Sequence, residues 1–200
     1  MINTLMQKKL PKIYLFVEDF NPSDLNNLNK NISIILRNYK KKIDESTILS
    51  LKNYCRRNKR KFYLTIDIKM AIKHQLNGVY IPSFIKTNNF NFFSKPKKFS
   101  IIGSAHNKAE IKAKENQGCN LIFLAPTFKV SKKNNYLDVI KFNLLTLDNK
   151  SKFIALGGIN ETNISKLKLL NCDGFSGISW IRKNGLKEFR PFLNSLNSNN

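Results

Sequence analysis

Four apolar runs in this chain each stop on a residue that can handle a phosphate group. Phe153–Leu156 stops on Gly157 and Gly158, whose bare backbone lets N–H groups approach a ligand closely. Ile32–Leu36 stops on Arg37, and Phe99–Gly103 on Ser104, Ala105 and His106. A guanidinium and a hydroxyl both donate to phosphate oxygens. Phe62–Ile66 stops on Asp67, a carboxylate of the kind that binds Mg2+ together with a substrate's own phosphates. Each residue also has a plain structural use. Asp67 can cap the helix that follows, Arg37 can pair with a neighbouring carboxylate, and the glycines can serve a tight turn.

The elements that must position these residues follow from the hydrophobic pattern. Ile13–Val17 reads as a first buried strand, ending in Glu18 and Asp19, with Asp24 capping a short helix through Leu28. Asp44 opens a helix carrying Ile48, Leu51 and Cys55, and Asn107 caps another over Lys108–Gln117, stopped by Gly118. Short strands are expected at Val79–Ile81 and Leu121–Leu124, and a helix at Tyr136–Leu147. Asn160 is expected to cap a helix carrying Ile164, Leu167, Leu169 and Leu170, ahead of an eighth strand over Gly174–Ser179. A last helix is expected over Leu186–Leu196, with frayed tails at 1–11 and 197–200. Eight buried strands joined by crossovers imply an α/β fold, a single compact (β/α)8 TIM barrel over residues 1–200. An open doubly wound sheet is disfavoured, because no G-x-G-x-x-G follows the first strand.

In such a barrel the residues just past each strand converge on one face. The expected set is Glu18, Asp19, Arg37, Asp67, Ser83, Ser104, His106, Pro126, Thr127, Gly157, Gly158, Ile178 and Ser179, with Lys132 and Lys133 on a nearby loop. Together they favour a phosphorylated small-molecule substrate.

Composition bounds the alternatives. With 35 Lys and Arg against 13 Asp and Glu, the net charge is +22. Such a field attracts any polyanion, but the basic residues are spread along the chain and accompany no nucleic-acid motif, so nucleic acid is not the expected partner. Cys55, Cys119 and Cys172 are odd in number and far apart, which suits reduced thiols rather than a disulfide frame or zinc site. No apolar stretch reaches the ~18 residues of a membrane span, and the amino terminus lacks a signal-peptide pattern. A cytoplasmic enzyme without a membrane partner is expected. Barrels with short loops often associate, which leaves a homo-oligomer open.

Four segments carry a resemblance: Ile101-Ile-Gly-Ser-Ala-His-Asn107, Ala125-Pro-Thr-Phe128, Leu156-Gly-Gly-Ile-Asn160 and Gly174-Phe-Ser-Gly-Ile-Ser179. In order and spacing they are similar to motifs of the thiamine phosphate synthase and thiazole tautomerase superfamily. The resemblance implies a transferase of thiamine biosynthesis. In that reaction hydroxymethylpyrimidine pyrophosphate ionises to a carbocation, which the nitrogen of a thiazole phosphate captures as pyrophosphate leaves. It further implies that Gly157, Gly158 and the amides of Ile178 and Ser179 hold the thiazole phosphate. Ser104, Arg37 and Lys133 would hold the pyrophosphate, with Ser104 and Lys133 in catalytic roles, and Asp67 would bind Mg2+.

The departures fall on one side of the site. The family's Gln before and Lys after the strand-two Arg look like Ile35 and Tyr39, and the Asn before the metal Asp is Ile66. Its Gly-Gln-x-Asp segment reads Pro82-Ser-Phe-Ile85, and the threonines of the strand-six loop appear as Val130 and Lys132. The tautomerase histidine falls at Pro126. The thiazole-phosphate half is thus kept better than the pyrimidine half. A second reading is therefore a divergent member that binds a phosphorylated thiazole or related ligand without synthase activity.

Overall fold

A computed structural model describes residues 12–26, 28, 31–87, 89–131 and 135–177. The last helix, both tails, Lys132, Lys133, Ile178 and Ser179 lie outside the described residues. Within them, eight parallel strands close into a barrel in sequence order. They are β1 Lys12–Val17, β2 Ile32–Leu36, β3 Phe62–Thr65, β4 Gly78–Ile81, β5 Ser100–Ala105, β6 Leu121–Leu124, β7 Lys152–Leu156 and β8 Gly174–Ser176. The seam closes through β1 and β8, with Lys12 opposite Gly174 and Tyr14 opposite Ser176. The α-helices are α1 Pro22–Asn26, α2 Glu45–Arg57, α3 Ile68–Lys73, α4 Lys108–Asn116 and α5 Asp138–Thr146.

Side chains alternate across every strand, because a strand's repeat is two residues. Outward residues such as Ile13, Leu15, Ile34, Phe62, Val79, Ile101, Ile122 and Phe153 build the core beneath the helices. Inward residues fill the lumen: Tyr14, Phe16, Ile35, Tyr63, Tyr80, Ile102, Leu121, Phe123 and Ile154. Phe123 is the hub of that filling. Tyr14, Phe16 and Tyr80 approach its ring at 5.0, 5.7 and 5.8 Å, all edge-on, the geometry aromatic quadrupoles favour. At the amino-terminal end, Asp173 accepts from Lys12 at 3.0 Å and lies 3.4 Å from Lys152.

Helix starts follow local chemistry. Asp44 accepts from the Thr47 N–H at 2.7 Å and Asn107 from the Glu110 N–H at 2.9 Å, each capping its helix as expected. At α1, however, Asn21 rather than Asp24 does this, accepting from the N–H and hydroxyl of Ser23, and Asp24 lies inside the helix. Three helices end on a residue of positive φ: Lys59 after α2, Gln75 after α3 and Gly118 after α4. The next N–H in each then reaches back to a carbonyl five residues earlier: Arg60 to Cys55, Leu76 to Ala71, Cys119 to Lys114.

The expected helix after β7 takes another form. Residues Ile164–Leu169 make a 3₁₀ turn, Asn160 instead accepts from Thr162, and Leu169 is 63% exposed. The apolar set that is buried, Leu167 and Leu170, has the spacing of three at which 3₁₀ side chains align. Strands also shift by a residue or two. Thr65 ends β3, with Ile66 outside it, and Ser104 lies within β5.

Burial raises the lumen phenols and core thiols. Tyr63 is pushed up to about 12, Tyr14 and Tyr80 also rise, and Cys55 and Cys119 each reach about 12. A group raised in the folded state contributes stability below its unfolded pKa and loses it as pH climbs past that value. Lys114 opposes this, since burial lowers it to about 8, and its contribution improves between there and the ordinary lysine range. The raised groups outnumber it. Thermal melts should therefore show stability falling from about pH 9 upward, by several kcal/mol near about pH 11. A flat or rising profile would contradict the buried, neutral state of these thiols and phenols.

Candidate active site at the carboxyl-end mouth

The mouth is built on the lumen. Ser104 shares the inward parity of Ile102, one step further along β5, and is buried. Its hydroxyl oxygen accepts from the Tyr80 phenol at 2.9 Å and from the Ser83 N–H at 3.0 Å. A serine has two lone pairs and one proton. With both lone pairs engaged, the Ser104 proton is the one left to donate.

Behind Tyr80 stands Arg37, which follows β2. Its guanidinium carbon lies 4.2 Å from the centroid of Phe16 and 5.5 Å from that of Tyr39, both within cation–π range. Its positive charge draws the phenols of Tyr39 and Tyr80 down, against the burial that raises both. Partial desolvation, then Tyr80, pushes the half-exposed Tyr39 phenol up to about 12, with Arg37 pulling the other way. Among the described residues no carboxylate pairs with Arg37, so the plain use allowed for it, an ion pair, is not what the structure shows there. The result is a cation on Phe16 next to Tyr80, whose phenol donates to Ser104.

Asp67 does cap its helix. Its Oδ1 accepts from the Met70 N–H at 2.9 Å, and the residue is exposed. Ile66 just before it has φ of 68°, in the left-handed region that a β-branched side chain rarely enters. Two bonds hold it there, Ile66 N–H to the Tyr80 carbonyl at 2.9 Å and Asp67 N–H to the Thr65 carbonyl at 2.8 Å. An Asn at this position tolerates that conformation far better. Among the described residues, no three His, Cys, Asp or Glu side chains gather as a metal would require.

On the far side, Gly157 and Gly158 have φ of 90° and 74°. The loop after β6 lies directly on this turn: Thr127 N–H donates to the Leu156 carbonyl at 2.8 Å and Phe128 N–H to the Gly157 carbonyl at 3.1 Å. A Cβ on Gly158 would sit 2.3 Å from the Phe128 carbonyl oxygen, so glycine is required by packing as well as by backbone angle. Thr127 is no ligand donor. Its buried hydroxyl bonds the carbonyls of Leu124 and Leu156 and accepts from the Leu156 N–H. The His106 ring likewise bonds the Ala125 carbonyl.

Of the expected site residues, the structure brings Arg37 and Ser104 into one cluster through Phe16 and Tyr80, with Tyr80 donating to Ser104. Sequence reasoning missed Tyr80, the link between them, and Phe16, the platform for Arg37. Strand parity carried the signal, since both are polarisable rings at inward positions between outward aliphatics.

A model of thiamine monophosphate synthases matches residues 29–181 of this chain. The chain belongs to the thiamine monophosphate synthase family. Among its relatives, a thiamine-phosphate synthase of one Prochlorococcus marinus strain is 29% identical over 147 residues, covering 68% of this chain and 40% of its own length. One from a second strain is 41% identical over 71 residues, covering 34% of this chain and 20% of its own. The chain thus spans less than half the length of these curated relatives. Among solved structures, a thiamine phosphate pyrophosphorylase from Pyrococcus furiosus superposes with a TM-score of 0.74 at 16% identity, covering 92% of this chain and 96% of that one. That likeness shows the shared barrel. Membership of the thiamine monophosphate synthase family supports a place in thiamine biosynthesis.

Two substitutions test the backbone claims. Ile66→Asn should raise stability by about 1 kcal/mol in a denaturant titration, by relieving the left-handed strain. Gly158→Ala should cost on the order of 3 kcal/mol or more, because the clash is with backbone that cannot swing away.

Proposed function

We propose that this chain carries the condensation of hydroxymethylpyrimidine pyrophosphate with a thiazole phosphate. The observation that carries the reading is the Ser104 hydroxyl, which accepts from Tyr80 and the Ser83 N–H and so keeps its proton to donate, with Arg37 nearby on Phe16 at the mouth of a family barrel. In the reaction the bond between the pyrimidine methylene and the pyrophosphate oxygen breaks, with the electron pair leaving on oxygen. The thiazole nitrogen then donates its lone pair to the methylene carbon, forming the new C–N bond. Charge develops on the departing oxygens, so donors fixed before the reaction stabilise the transition state more than the ground state.

Ser104 donates its proton to a pyrophosphate oxygen, and Arg37 supplies the positive field beside it. Arg37 stays in place because its face rests on Phe16 and its edge meets phenols, so little reorganisation is needed when substrate arrives. Gly157 and Gly158 offer backbone N–H groups to the thiazole phosphate, as do Ile178 and Ser179 in this proposal, and Lys133 joins the pyrophosphate donors. Mg2+ held by Asp67 and the substrate would neutralise charge on the leaving group.

A second reading, ligand binding without turnover, has its own support. Tyr39 and Phe84, exposed by more than half, meet edge-on at 5.5 Å where the resemblance expects a lysine and a second metal-binding segment. This leaves Asp67 as the one metal carboxylate that the resemblance itself carries over.

Pyrophosphate release by the purified chain, with both substrates and with or without Mg2+, separates the two. The synthase reading expects metal-dependent release that needs both substrates, with Ser104→Ala and Asp67→Ala each lowering kcat by roughly 10- to 100-fold. No release from the wild-type chain, with thiazole phosphate still raising its melting temperature, would leave the binding reading.

A further inference from the structure

Lys114 on α4 and Gln117, which caps its carboxyl end, are both fully buried outside the barrel wall. The Lys114 ammonium donates to the Ile85 carbonyl and to Gln117 Oε1, each at 2.8 Å. Gln117 Nε2 donates in turn to the carbonyls of Ile85 at 2.9 Å and Thr87 at 2.8 Å. Three of these hydrogen bonds thus join the end of the helix to one three-residue stretch of the loop after β4, and the fourth ties Lys114 to Gln117. Room for the lysine stem comes from β5. A Cβ on Gly103 would sit 2.9 Å from both Lys114 Cδ and Cys119 Sγ, so the wall is left bare where the stem crosses it.

Burying an amine that is charged at neutral pH costs several kcal/mol before any return. A helix and a loop packed only for stability would do as well with apolar residues. What distinguishes this loop is what it carries. Ser83, two residues before Ile85, gives its N–H to the Ser104 hydroxyl, and Phe84 meets Tyr39 across the mouth. Ile85 N–H also turns back to the Pro82 carbonyl at 3.2 Å, so fixing the Ile85 carbonyl fixes a short closed turn.

We propose that Lys114 and Gln117 are positioning residues for the mouth: from the outer helix they clamp the Ile85 and Thr87 carbonyls and so hold the Ser83 N–H on Ser104 and Phe84 beside Tyr39. The consequence for turnover rests on the synthase reading above, but the clamp itself does not. Lys86 and Glu110 are the other charged groups near Lys114; they face each other at 4.0 Å, and the Ile85 carbonyl is bonded by Lys114 and Gln117.

The test uses the whole chain carrying Lys114→Met, Gln117→Leu or Gln117→Glu. The last keeps an acceptor for Lys114 while removing both N–H donors to the loop, and serves if the lysine variant does not fold. Amide hydrogen exchange over residues 82–87 should quicken at least tenfold in the folded variants, with the remaining strands unchanged. KM for the pyrimidine pyrophosphate should rise roughly tenfold with a smaller change in kcat, since donors lose their position but not their chemistry. Unchanged exchange at the loop overturns the proposal, as does faster exchange spread evenly over the barrel or a loosened loop with KM unaltered. A loosened loop in variants of a wild-type chain that releases no pyrophosphate keeps the clamp and removes the synthase reading.

Discussion

A closed ring of eight parallel strands has one lumen of fixed width, and half of every strand's side chains must share it. Here that space is taken by rings rather than by aliphatic layers alone. Phe123 at the centre receives Tyr14, Phe16 and Tyr80 edge-on, and Tyr63 packs against Tyr14. A tyrosine in a lumen brings a hydroxyl that must find a partner. Tyr80 finds Ser104, and the rings of Tyr63 and Tyr14 lie tilted with centroids 6.1 Å apart. The filling of the barrel and the polarity of its mouth are therefore one arrangement.

Arg37 belongs to the same arrangement. A guanidinium beside a carboxylate would be neutralised, with less field left for an incoming anion. Resting on Phe16 and facing two phenols, it keeps its charge while its orientation is set by ring packing. The same economy appears in the backbone. The Gly157–Gly158 turn is held down by the loop after β6, so its backbone is fixed by hydrogen bonds from Thr127 and Phe128. On the β2–β4 side, by contrast, aromatic surface stands where polar groups were expected, and the loop there is held from outside by Lys114 and Gln117.

The sequence carried the eight strands, the barrel and the caps at Asp44 and Asn107, because period-two burial and side-chain capping are local. It also put Arg37 and Ser104 at strand ends. It misread the segment after β7, since apolar residues three apart suit a 3₁₀ turn and an α-helix alike over so short a stretch. It misplaced the α1 cap because Asn21 and Asp24 are chemically equivalent candidates.

Strand identity, chain order and the residue types at the mouth were determined by the sequence itself, through contacts between near neighbours along the chain. The tertiary structure alone decided what those residues do to one another. Tyr80 links Arg37 to Ser104, Thr127 is spent on backbone carbonyls, Ile66 is forced to positive φ, and Lys114 reaches a loop 29 residues away in sequence. Each of these joins groups distant in sequence, and their hydrogen bonds exist only once barrel closure has set which strands are adjacent and how far each is staggered.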